Sequence, residues 1–139
     1  MEEIAKFIRE VPKTELHLHI EGTLEPELMF DLAKRNGIKI PYSNVNEVKS
    51  AYNFSNLETF LNIYYEGSKV LINEKDFFDL TWSYAVKCRE DNIVHTEIFF
   101  DPQAHLSRGI KFETVINGIN KALIKANKEF GLTYKIIMC

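Results

Sequence analysis

The chain has 139 residues, 45% hydrophobic and 27% charged, with a net charge of −3, the composition of an ordinary globular domain. Its mild acidity, with scattered lysines and no basic run interleaved with aromatics, argues against capture of nucleic acid. Two cysteines, Cys88 in a helical pattern and Cys139 at the last position, argue against a disulfide framework, and the acid-led start without a long apolar stretch argues for a cytoplasmic protein with no signal peptide or membrane span.

In chain order, Met1 to Ile8 is amphipathic, and Pro12 stops any helix arriving from it. Glu15-Leu16-His17-Leu18-His19-Ile20-Glu21-Gly22 then reads as a strand running into a Gly turn. The two-residue period of a strand puts His17 and His19 on one face with Glu15, and Leu16, Leu18 and Ile20 on a buried opposite face. Two neutral imidazoles on one face can both reach a Zn²⁺ ion at about 2.0–2.1 Å, but a catalytic zinc needs three protein ligands and an open position, so this strand supplies part of a site. Glu15 could orient an imidazole or pair with a lysine.

Pro26 opens a helix over 26–35, with Leu28, Met29, Leu32 and Ala33 at helical spacing and Asn36-Gly37 as its stop. Ser43 or Asn44 can cap a short helix over 45–51, with Glu47 placed for a capping box. Leu57, Phe60, Leu61, Tyr64 and Tyr65 recur at three and four residues, which predicts a helix over 56–71 with a potential break at Gly67-Ser68. Asn73 caps the next helix, whose apolar stripe is Phe77, Leu80, Thr81, Tyr84, Ala85 and Cys88, ending near Asp91-Asn92.

Residues 93–100 are β-branched and aromatic and end sharply at Asp101-Pro102, as a buried strand does. His95 and Glu97 share one face of it, where structural hydrogen bonds are expected, and His105 reads as a solvated loop residue. A helix over 112–130 carries Val115, Ile116, Ile119, Ala122, Leu123 and Ala126 on one face and closes at Gly131, and 133–139 reads as a third strand. Strand, helices, strand, helix, strand is the order of a parallel α/β protein. With no helix after the third strand an edge would be left open, so the chain is expected to be a fragment of a larger fold.

Val11-Pro12-Lys13-Thr14-Glu15-Leu16-His17-Leu18-His19-Ile20-Glu21-Gly22-Thr23-Leu24-Glu25-Pro26-Glu27 resembles the first-strand motif of the adenosine and adenine deaminase branch of the amidohydrolases. Phe54 to Tyr65, His95 to His105 and Ile136-Ile137-Met138-Cys139 are similar too, so the resemblance runs from Val11 to the end. It implies a partial (β/α)₈ TIM barrel, its first three strands with their helices, in which His17 and His19 bind a catalytic Zn²⁺ and Glu21 and Gly22 sit where substrate would lie. A flat base in a dry pocket wants apolar walls, which Leu57, Phe60 and Leu61 could form as a lid, with ordinary helix packing as their alternative. The implied reaction is hydrolytic deamination of an aminopurine, adenine to hypoxanthine plus ammonia, with zinc lowering the pKa of water towards about 7.

In the family the third zinc histidine, the acid glutamate, a further histidine and the zinc aspartate come on later strands. No catalytic acid or base is therefore expected within this chain, and the 139 residues alone are expected to be inactive. A small purine is the partner implied, with no nucleic acid or membrane, and oligomeric state is open. Adenosine deaminases carry Asp where this chain has Glu21, and that Asp meets the ribose hydroxyl. The extra methylene would occupy ribose space, so adenine is favoured, and Glu21→Asp should shift preference towards the nucleoside. Adenosine deamination to inosine, and a non-catalytic scaffold of the same fold, are the alternatives.

Overall fold

The computed structural model describes residues 2–139. Along it run α1 (Glu2–Glu10), β1 (Lys13–His19), a 3₁₀ turn (Ile20–Thr23), α2 (Pro26–Asn36), α3 (Val45–Ala51), α4 (Leu57–Ser68), α5 (Glu74–Glu90), β2 (Ile93–Phe100), α6 (Pro102–Leu106), α7 (Phe112–Phe130) and β3 (Thr133–Met138). The strands form one parallel sheet in the order β1-β2-β3, as the alternation of strands and helices requires.

The helix boundaries follow from their ends. Asn44, Asn56 and Asn73 cap α3, α4 and α5 by accepting from the backbone N–H groups of Glu47, Thr59 and Asp76, each satisfying a donor the helix leaves unpaired. Glu47 reaches back one residue further than a capping box does, to the Ser43 N–H. Gly37 and Gly131 close α2 and α7 at φ 64° and 72°, a left-handed conformation that costs glycine little. The potential break at Gly67-Ser68 is where α4 ends, three residues earlier than the apolar period alone suggests. The short α6 lies where the sequence reads as loop.

One sheet face is covered by α5 and α7. Phe77, Leu80, Ile98, Ile119 and Leu123 are all fully buried there, each contributing about 1.5–3 kcal/mol of apolar burial. The expected stripe of α5 is buried throughout, Cys88 included. At Gly118 the two helices leave no room for a side chain: a Cβ on it would lie 2.5 Å from the Glu74 carbonyl oxygen and 2.6 Å from Phe77 Cβ.

The first strand departs from simple alternation. Glu15 pairs with Thr96 and Leu18 with Ile98, so Leu16 and His17 together face a single residue of β2, a β-bulge. Two expectations are corrected by it. Glu15 does not share the histidine face: it is turned into the helix layer, where the Tyr84 hydroxyl donates to it at 2.7 Å. That phenol proton is thereby used, so the Thr96 hydroxyl, 2.6 Å away, is the donor to Tyr84. Leu16, expected on the buried face, is 55% exposed, because the extra residue reverses the alternation between Glu15 and Leu18. His95 makes the structural hydrogen bond expected of it, its Nδ1 lying 2.8 Å from Thr133 Oγ1, with Glu97 3.8 Å from its Nε2.

Candidate metal and substrate site

His17, the second residue of the bulge, and His19, just beyond it, keep a common face. Their ring centres are 5.6 Å apart and inclined at 31°, and both rest on Phe99 of β2, at 4.5 and 5.5 Å between ring centres. Phe99 is the residue paired with His19, so the platform is set by strand register. Two imidazoles bound to one tetrahedral zinc at about 2.0–2.1 Å have ring centres roughly 5 Å apart, and the observed spacing fits that arrangement. Among the described residues no group of three or more metal-ligating side chains converges, so the two imidazoles make no complete metal centre by themselves.

The imidazoles open on a cavity of about 410 Å³ at the carboxyl ends of the strands. Phe60, Leu61, Tyr64 and Tyr65, from two turns of α4, form the wall opposite, with Gly22, Asp101 and Cys139 at its edge. The helical period that placed Phe60 and Leu61 together in the sequence brings them to the same wall. Leu57, one turn earlier, is 70% exposed and lies outside it. Gly22 leaves its side open to the Tyr64 ring, whose nearest carbon is 3.7 Å from the position a Cβ would take.

Glu21 is placed differently from its neighbours. It is 2% exposed and sits behind the wall, in a narrow gap beside Gly22, Phe60 and Tyr64. Its carboxylate accepts from the Asp101 backbone N–H at 3.0 Å, from His105 Nε2 at 2.9 Å and from the Tyr64 hydroxyl at 3.1 Å. Burial pushes this carboxyl upwards, but the hydrogen bonds from His105 and Asp101 outweigh it, leaving the pKa below the ordinary glutamate value. Burial, and then the adjacent Glu21 charge, raise Tyr64, which stays a protonated donor.

His105 corrects the reading of it as a solvated residue: it is fully buried. The short helix α6 turns it inwards, edge-on to Phe77 with 4.8 Å between ring centres. Its role was hidden in the sequence because Glu21, its partner, is 84 residues away. The Pro that follows Asp101 was the one local signal, since Pro at the first position of a helix is common and a helix there would turn His105.

Comparison with known proteins gives the family. The family model described as adenosine deaminase matches residues 12–139. An adenine deaminase from Psychrobacter cryohalolentis is 63% identical over 96% of this chain and 40% of its own length, and one from Wolinella succinogenes is 59% identical over 100% and 42%. The crystal structure of an adenine deaminase from Arthrobacter aurescens superposes with a TM-score of 0.88 at 46% identity, over 91% of this chain and 39% of that one. An amidohydrolase from Burkholderia ambifaria with bound Zn shares the fold, at a TM-score of 0.80 and 20% identity over 96% and 36%. The chain thus spans about two fifths of the length of these relatives. With a match over nearly all of its residues, a partial parallel barrel and a paired-histidine first strand, the chain belongs to the adenosine deaminase family.

Proposed function

We propose that this segment is the metal-bearing, substrate-facing part of a zinc-dependent deaminase that converts adenine and water into hypoxanthine and ammonia. The observation that carries the reading is the pair of imidazoles held side by side on Phe99 and facing an aromatic wall, in a chain whose relatives are adenine deaminases. His17 and His19 would hold the ion. When bound, it supplies a Lewis acid that makes hydroxide available at neutral pH.

The chain's own residues account for binding. Phe60, Leu61 and Tyr64 offer a flat base a largely apolar wall, as small-molecule pockets do. Gly22 allows the base to approach the backbone at the strand end, and Glu21 acts on the site from behind, through the Tyr64 hydroxyl and the Asp101 N–H. A third metal ligand and the acid and base that deamination needs come from outside residues 1–139, so the segment alone does not turn over. The test is an assay of the full-length chain on adenine and adenosine, with and without a chelator. Chelator-sensitive turnover of adenine, with adenosine much slower, supports the proposal. Equal turnover of the two, or activity indifferent to the chelator, overturns it.

No helix among the described residues is long and apolar enough to cross a membrane.

A further inference from the structure

The wall of the cavity is carried by a helix with little apolar anchorage. Of α4 only Ile63, Gly67 and Ser68 are buried, while Leu57 is 70% and Tyr65 47% exposed. A polar circuit behind the wall supplies what packing does not. Arg108 donates through Nη2 to the Leu71 carbonyl at 3.0 Å and to His105 Nδ1 at 2.8 Å, and through Nη1 to the Lys69 carbonyl at 3.3 Å. A guanidinium can only donate, so Nδ1 of His105 is the acceptor and its ring proton sits on Nε2, pointing at Glu21. Glu21 in turn accepts from Tyr64. The chain of bonds leaves α4 at Tyr64, passes through Glu21, His105 and Arg108, and returns just beyond the end of α4 at Lys69 and Leu71.

We propose that His105 and Arg108 are positioning residues for the substrate cavity, closing through Glu21 a ring of hydrogen bonds that fixes α4, and with it Phe60, Leu61 and Tyr64, at a set height over His17 and His19. Neither residue is among those lining the cavity, and the imidazoles are placed independently by β1 and Phe99. The ring therefore controls how well substrate is held and leaves the metal pair where it is. This inference rests on the deaminase reading only for the identity of the substrate.

The test uses the full-length enzyme with its metal. His105→Phe keeps a ring against Phe77 but can neither donate to Glu21 nor accept from Arg108. Its KM for adenine should rise about tenfold, as the loss of one hydrogen bond to a charged group implies, with kcat within about twofold and bound zinc unchanged. His105→Gln, whose amide both donates and accepts, should restore most of the loss. Tyr64→Phe, which removes only the last link, should raise KM about threefold to fivefold.

Hydrogen–deuterium exchange gives a readout that needs no substrate: amides of α4 should exchange faster in His105→Phe, with α5 and α7 unchanged. An unaltered KM, a fall in kcat alone, or unaltered α4 exchange overturns the proposal. Should His105→Phe not fold, Arg108→Met, which removes the links from His105 to Lys69 and Leu71 without touching the cavity, decides by the same measurements. A wild-type enzyme inactive on adenine would count against the deaminase reading and leave the exchange experiment to judge the ring.

Discussion

Glu21→Asp and Glu21→Gln separate reach from charge at one buried position. Glutamine keeps the length of the side chain, so its carbonyl oxygen can still accept from the Asp101 N–H and His105 Nε2, now 3.0 and 2.9 Å away, and its amide can face the Tyr64 oxygen. What it loses is the charge on the acceptor, a cost of about 1–2 kcal/mol when charged hydrogen bonds become neutral ones. Aspartate keeps the charge but is one methylene shorter, roughly 1.5 Å of reach. Bonds already near 3 Å would stretch beyond hydrogen-bonding range, leaving a buried carboxylate and its three donors poorly paired, at a cost of about 3–5 kcal/mol. Urea unfolding followed by circular dichroism should therefore rank the chains wild type, Gln, Asp. With urea slopes of about 1–3 kcal/mol/M, the Asp variant should lose more than about 1 M in midpoint. The geometry also gives a different kinetic outcome from the sequence argument: Glu21→Asp should weaken binding of adenine without creating a preference for adenosine. An Asp variant as stable as wild type, or one that gains the nucleoside, would refute this account of Glu21.

Gly118→Ala gains about 1 kcal/mol of helix propensity, but its methyl would meet backbone atoms of α5 at 2.5 and 3.0 Å, so a net loss of about 2 kcal/mol or more is expected, visible as a lower Tm. Acid should destabilise the fold. Fully buried Asp76 is pushed up by burial but held below the ordinary value by the Asn73 and Ile72 N–H groups, Arg35 and Asn36, and Glu21 is shifted the same way. A depressed folded pKa gives stability that is full above about pH 4 and lost as pH falls through the folded value. Asp76→Asn should flatten that slope in a pH series of unfolding midpoints, and an unchanged slope would contradict the assignment. Burial pushes the Cys88 thiol up to about 11 and raises Cys139 too, but Cys139 is exposed. A thiol reagent at pH 8 should label Cys139 in the folded chain and Cys88 only on unfolding.

What was legible in the sequence is what local period and local chemistry determine. The helical stripes of α5 and α7, the Asn caps and the glycine stops specify elements without knowledge of their neighbours, and they fall close to where the sequence puts them. The pairing of His17 with His19 was legible because the irregularity of β1 falls before Leu18, and the two-residue alternation holds from His17 to His19. The bulge itself was not, since strand alternation presumes an unbroken ladder and the register of β1 is decided by β2, some 80 residues on. The same blindness moved Glu15 to the wrong face, its partner being Tyr84 of a helix. His105 was misjudged for a related reason: five residues of mixed polarity announce no helix, and its burial depends on Phe77 and Glu21, both distant in the chain. Glu21 was recognised as part of the site, but its orientation could be seen only once His105 and Asp101 had been placed beside it.

The central claim is that β1 presents half of a metal centre. Zinc content of the full-length chain, purified without chelator and measured by elemental analysis beside His17→Ala and His19→Ala, tests it most directly. About one ion per wild-type chain, largely lost from each folded variant, is the predicted result. Wild-type protein without zinc, or variants that retain it in full, would contradict the claim.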